Sequence, residues 1–204
     1  MRSSVEEEVP QEPERRKEAR HKLVLRAAVV EQDGRSAFCL VRNISSTGVQ
    51  LKVYTQPILD AEITLRVADE QPVGGRVTWV NGDNAGISLD EELDASTLLR
   101  VRCKLRPHKR RAFPRMEVEA PAILRTRGTV LRVSVKDISS LGARVVADTT
   151  LQCGDRTIID IPDLPAISGY VRWVEGQVAG LAFETPIPLQ IIAHWLQGRL
   201  KAAA

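Results

Sequence analysis

Gly75-Arg76-Val77-Thr78-Trp79-Val80-Asn81-Gly82-Asp83-Asn84-Ala85-Gly86-Ile87-Ser88-Leu89 returns 94 residues further on as Gly169-Tyr170-Val171-Arg172-Trp173-Val174-Glu175-Gly176-Gln177-Val178-Ala179-Gly180-Leu181-Ala182-Phe183. In both places two short apolar, β-branched runs flank a glycine-bearing turn, the pattern of a β-hairpin. The similarity extends upstream at the same offset, where Asn43-Ile44-Ser45-Ser46-Thr47-Gly48 matches Asp137-Ile138-Ser139-Ser140-Leu141-Gly142. Arg15-Arg16 with Arg20 then matches Arg110-Arg111 with Arg115 at an offset of 95, so the first copy holds one more residue between these two motifs. Several separate features in one order indicate a duplicated domain, and a period near 94 makes each copy a domain rather than a solenoid repeat.

Each copy reads as β-rich. In the first, Leu23 to Val30, Ala37 to Arg42, Val49 to Val53, Ile63 to Val67, Arg76 to Val80 and Ala85 to Leu89 are strand-like runs punctuated by turn chemistry such as Asp33-Gly34. The second follows suit, with Val130 to Val135 alternating as a half-buried strand should. Six short strands predict a small closed antiparallel barrel, which leaves no exposed edge. A helix is expected after each barrel. In the second copy Leu189, Ile192, Ala193, Leu196 and Leu200 share one face at helical period, after Pro186 and Pro188. In the first, Asp94 is a candidate N-cap for Ala95 to Lys104. The expected organisation is thus a disordered acidic tail over 1–13, a first domain over 14–104 and a second over 105–204.

The chain has 204 residues, 43% of them hydrophobic, enough for a real core. Its 29 basic and 26 acidic residues leave a charge of +3, too little to drive it onto DNA or an anionic membrane through bulk electrostatics. Cys39, Cys103 and Cys153 are odd in number and far apart, without Cys-x-x-Cys, which fits a reducing compartment and neither disulfides nor structural zinc. The N-terminus lacks an apolar signal stretch and no run is long enough to span a bilayer, so a soluble, cytoplasmic protein is expected.

Catalytic apparatus is not legible. His21, His108 and His194 are scattered, and no metal-ligand spacing, nucleophile elbow or phosphate-binding Gly-x-x-x-x-Gly-Lys is present. What recurs is Arg-x-x-x-Arg: Arg16 with Arg20, and Arg111 with Arg115. Guanidinium forks take phosphate oxygens or the O6/N7 edge of guanine two at a time and stack on base faces. A lone basic pair is more often a solvated segment; recurrence ahead of the first strand in both copies favours a ligand. Arg106 and Arg110 form a further Arg-x-x-x-Arg, but Arg111 and Arg115 are the pair that aligns with the first copy. Asn43, Ser45 and Gly48, with Asp137, Ser139 and Gly142, read either as an ordinary hairpin connection or as a site edge. Their side-chain oxygens suit guanine N–H donors, and glycine permits positive φ or close approach. Trp79 and Trp173, in Val-x-Trp-Val strands of period-two alternation, are assigned to core or interdomain packing and left out of the site.

These motifs in their order, Arg-x-x-x-Arg, Asx-x-Ser-x-x-Gly, Gly-x-Val-x-Trp and a closing Ala-Gly strand, resemble the PilZ domain, twice, over about residues 14 to 103 and 106 to 200. The resemblance implies six-stranded barrels with a C-terminal helix and a non-enzymatic receptor for cyclic di-GMP. It implies that Arg16, Arg20, Arg111 and Arg115 hold guanine edges and phosphates, while Asn43, Ser45, Gly48, Asp137, Ser139 and Gly142 line the barrel side. No cofactor beyond that ligand and no metal is expected, nor DNA binding or membrane insertion; a downstream protein partner is expected without an identity. The expected mechanism is a change of domain orientation as the arginine segments close on the ligand. Two rival readings are a tandem-barrel interaction scaffold with one or both sites inactive, and a single-stranded nucleic-acid binder. The latter lacks an aromatic platform, with three Trp, two Tyr and three Phe in all.

Overall fold

The computed structural model describes residues 21–67, 71–93, 113–149 and 151–202. The first barrel is built from β1 (His21–Gln32), β2 (Arg35–Ile44), β3 (Gly48–Val53), β4 (Glu62–Arg66), β5 (Val73–Asn81) and β6 (Asn84–Leu89). The second uses β7 (Met116–Thr126), β8 (Thr129–Ser139), β9 (Gly142–Ala147), β10 (Arg156–Asp160), β11 (Ile167–Glu175) and β12 (Val178–Phe183), followed by α1 (Leu189–Ala202). Both sheets close, in the order β1-β2-β3-β6-β5-β4 and its counterpart β7-β8-β9-β12-β11-β10, and every pairing is antiparallel. The expected strands are all present, most of them longer by a residue or more. The segment read as a helix after the first barrel, Ala95 to Lys104, the domain boundary at 104/105 and the tail over 1–13 lie outside the described residues.

Local chemistry explains the hairpins. Asp33-Gly34 joins β1 to β2 with φ of 50° and 71°, and Arg127-Gly128 joins β7 to β8 with 45° and 74°. Positive φ at both central residues gives the turn whose twist matches the strands it connects. Alternation then sorts the side chains: along β3, Val49, Leu51 and Val53 are buried while the residues between them are half-exposed. Val29 and Phe38, however, pair across β1 and β2 on the outside of the first barrel and are each 1% exposed. They belong to the apolar cluster of the second domain, with Tyr54 packed against its edge.

α1 covers one side of that cluster. Ile192, Ala193 and Leu196 are buried as the helical period predicts, Leu189 is half-buried, and Trp195 is buried as well, its Nε1 donating to Pro162 O at 2.8 Å. From the same helix Gln197 Nε2 donates to Tyr54 O and, at 2.6 Å, to Thr55 Oγ1 of the first barrel. The helix therefore serves as the joint between the barrels as well as part of the second core. No helix among the described residues is long and apolar enough to cross a membrane.

Candidate functional site

Three bulges in each barrel converge on the Asx-x-Ser-x-x-Gly turn. One lies in β1 between Lys22 and Arg26, opposite Asn43 and Val41; its counterpart in β7 lies between Glu117 and Ala120, opposite Asp137 and Val135. The first spans one residue more than the second, which accounts for the change of offset from 94 to 95 between the arginine pair and the turn. A second bulge, at Arg42 and Lys136, precedes the Asx residue itself. The third falls at Thr78 and Arg172. Bulges bend strands and re-aim side chains, and are frequent beside sites.

The third bulge corrects the reading of the tryptophans. Strict alternation after buried Val77 would turn Trp79 inward, but the bulge inserts one extra residue, so that both Thr78 and Trp79 face outward. Trp79 is 42% exposed and Trp173 38%. Each indole lies over a glycine of the neighbouring strand: a Cβ on Gly86 would meet Trp79 Nε1 at 1.9 Å, and one on Gly180 would meet Trp173 Nε1 at 2.1 Å. Trp79 thus forms a wall of a cleft of about 200 Å³, together with Asn43, Ser45, Gly48, Gln50 and Thr78.

The turn is tightly built. Ser45 Oγ donates to Gly48 O at 3.2 Å, and Ser139 Oγ to Gly142 O at the same distance. Backbone bonds from beyond the barrel clamp it: Leu93 N to Ser46 O at 2.7 Å and Ile187 N to Ser140 O at 2.9 Å. The serines therefore have a structural task, which the hairpin reading anticipated. Gly48 and Gly142 do not have positive φ. Their role is close approach, since a Cβ would stand 3.1 Å from Ile87 O in the first barrel and 2.2 Å from Leu181 O in the second.

The Asx residues differ in what holds them. Asn43 is paired across the ladder with Gln50, and its Nδ2 donates to Gln50 Oε1. Asp137 is paired across the ladder with Arg144, whose Nε lies 2.7 Å from Asp137 Oδ2, close as an ion pair although the N–H is not aligned as a hydrogen bond. Arg115 Nη1 donates to the other oxygen, Oδ1, and the carboxylate side chain is 8% exposed. The structure thus brings Arg115, Asp137, Ser139 and Gly142 together in the second copy and Asn43, Ser45 and Gly48 in the first. Arg16, Arg20 and Arg111 lie outside the described residues, as do Arg106 and Arg110. Sequence reasoning missed Gln50, Arg144 and the outward tryptophans. Gln50 and Arg144 were detectable as polar residues following the two Asx positions by the same interval; the tryptophans were concealed by the bulge.

Among solved structures, the chain is similar to the Borreliella burgdorferi PlzA protein in complex with c-di-GMP, at 16% identity and a TM-score of 0.40, covering 83% of this chain and 86% of that one. It is similar to the Bacillus subtilis inhibitor of motility MotI/DgrA at 18% identity and 0.36, with 87% and 98% covered. It is likewise similar to the K. pneumonia MrkH–c-di-GMP complex at 12% and 0.36, with 88% and 89% covered. No curated protein matches the chain. The PilZ domain matches twice, over residues 14–105 and 109–198, each match containing one barrel and one Asx-x-Ser-x-x-Gly turn, and the chain therefore belongs to the PilZ domain family as a tandem pair.

Proposed function

We propose that this protein is a non-enzymatic receptor for cyclic di-GMP with one site on each barrel. The observation that supports this reading above others is Arg115 resting on Asp137 at the head of the turn, in a chain whose two halves both match the PilZ domain. The ligand offers two phosphodiesters and two guanines. Guanidinium forks suit the phosphates and the O6/N7 edges, while the Asx oxygens accept guanine N–H groups. Asp137 can still accept such a bond, because each carboxylate oxygen has two lone pairs. In this reading Arg16, Arg20, Asn43, Ser45 and Gly48 serve the first site, and Arg111, Arg115, Asp137, Ser139 and Gly142 the second. The outward faces of Trp79 and Trp173 add a stacking surface for a base.

Arg111 and Arg115 stand at the end of the segment that connects the barrels, so their engagement with ligand bears on how the barrels sit against each other. Arg16 and Arg20 precede β1, and their engagement leaves the joint alone. A cytoplasmic location and a downstream protein partner complete the reading.

Calorimetric titration with cyclic di-GMP tests it. Two saturable sites are expected, one lost in Arg20→Ala, the other in Arg115→Ala, and both in the double variant. A folded protein that takes up no ligand would leave the interaction-scaffold reading in its place.

A further inference from the structure

The duplication supplies an internal comparison at the site, because Gln50 and Arg144 occupy the same register position, each directly across the ladder from the Asx residue. The exchange from Asn43 with Gln50 to Asp137 with Arg144 changes both side chains of the pair at once. Its net charge is zero in both copies, a neutral amide pair in one and an anion with a cation in the other. The field that a dianionic ligand would meet is therefore similar in sum, and the difference lies in how firmly the site is assembled. In the second copy the carboxylate is gripped from both sides, by Arg144 at Oδ2 and by Arg115 at Oδ1, and Arg115 is itself only 25% exposed. In the first copy the amide of Asn43 is tied to Gln50, and neither residue offers a charge to an arginine.

We propose that Gln50 and Arg144 are positioning residues that act through their cross-strand Asx partners to set the two sites apart, so that the second site, with Arg115 already in place on Asp137, fills before the first. This rests on the receptor reading above. The physical reason is that Arg144 fixes the orientation of Asp137, and Asp137 in turn holds Arg115 where a ligand would need it. A ligand arriving there does not have to order that long side chain, an advantage of about tenfold in affinity. The two positions are also coupled. A guanidinium facing Asn43 would be a half-buried charge without its cross-strand partner, and a carboxylate facing Gln50 would lack the cation across the ladder that fixes its orientation.

The experiment measures cyclic di-GMP affinity by calorimetry in two backgrounds, Arg115→Ala to isolate the first site and Arg20→Ala to isolate the second. In the first background Asn43→Asp and Gln50→Arg are introduced singly and together. Neither single variant is expected to gain affinity over its parent, whereas the pair should bind about tenfold more tightly, with the unfolding midpoint of the ligand-free protein unchanged between parent and pair. In the second background Asp137→Asn with Arg144→Gln should lower affinity to that of the first site, and Arg144→Lys should retain most of it. Equal affinities of the two isolated sites, or effects of Asn43→Asp and Gln50→Arg that simply add, would overturn this inference while leaving the receptor reading intact. No binding by the unsubstituted protein would overturn the receptor reading and this inference with it.

Discussion

Val29 and Phe38 face one another across β1 and β2 on the outer surface of the first barrel, and both are buried in the apolar cluster of the second domain. The equivalent pair in the second barrel is Ile123 and Arg132, also directly opposed, with Arg132 exposed. One copy has thus adapted an outward face to receive its neighbour, and the other keeps that face for water. Phe38→Arg, which gives the first barrel the residue type of the second, is expected to undock the barrels. It should cost about 3 kcal/mol of stability, in line with loss of a buried phenylalanine. Solution scattering should show a larger radius of gyration with both barrels still folded by circular dichroism; an unaltered profile would rule out Phe38 as the joint.

The two turn glycines should differ in tolerance. At Gly142 a Cβ would press on the Leu181 carbonyl at 2.2 Å, whereas at Gly48 the nearest atom is the Ile87 carbonyl at 3.1 Å. Backbone has to move in the first case and needs to give only a few tenths of an ångström in the second. Gly142→Ala is expected to destabilise by about 1–3 kcal/mol, as overpacking does, and Gly48→Ala by clearly less. Chemical denaturation of the two variants side by side gives the comparison, and equal losses would contradict it.

Trp79 should report on the first site. One face of its indole covers Gly86, and the ring borders the cleft that contains Asn43, Ser45 and Gln50. Loss of a base-stacking indole costs about 1–3 kcal/mol, so Trp79→Ala is expected to weaken cyclic di-GMP binding at that site by roughly tenfold or more. Ligand should also change the tryptophan emission of the unsubstituted protein, and that change should shrink in the variant.

Cys39 sits wholly inside the first barrel, and burial pushes its thiol from an ordinary 9.0 up to about 12. Because the folded state holds this proton more tightly than the unfolded chain, the contribution to stability is complete below pH 9. It is lost progressively as pH rises from 9.0 toward about 12, at about 1.4 kcal/mol per pH unit. The alkaline slope of the unfolding free energy should be reduced in Cys39→Val by that amount. In the native protein at pH 8, a thiol reagent should leave Cys39 untouched while it labels exposed Cys153.

Much of the candidate site was legible because its components are local. The spacing of Asn43, Ser45 and Gly48 defines a turn by itself, and the structure builds that turn twice with the same serine bond. Gln50 and Arg144 were harder to see, because they become neighbours of the Asx residues only through the register of the next strand. The role of Gly48 and Gly142 was half-read: φ is ordinary at both, and the requirement comes from a carbonyl of a strand far along the chain.

By itself the sequence determined the duplication, the six strands per copy and the places where the chain turns. Alternation of period two and residues such as Asp33-Gly34 act within a few positions of one another, so they can be read without knowing what lies opposite. It also located the extra residue of the first copy, which the structure accommodates as a wider bulge between Lys22 and Arg26. The tertiary structure alone decided that Trp79 points outward, that Asp137 is held from two sides and that Phe38 is covered by the second domain. Alternation tells two faces of a strand apart. Which residue a bulge displaces, and which outer face another domain covers, depend on strands and a helix far away in the chain.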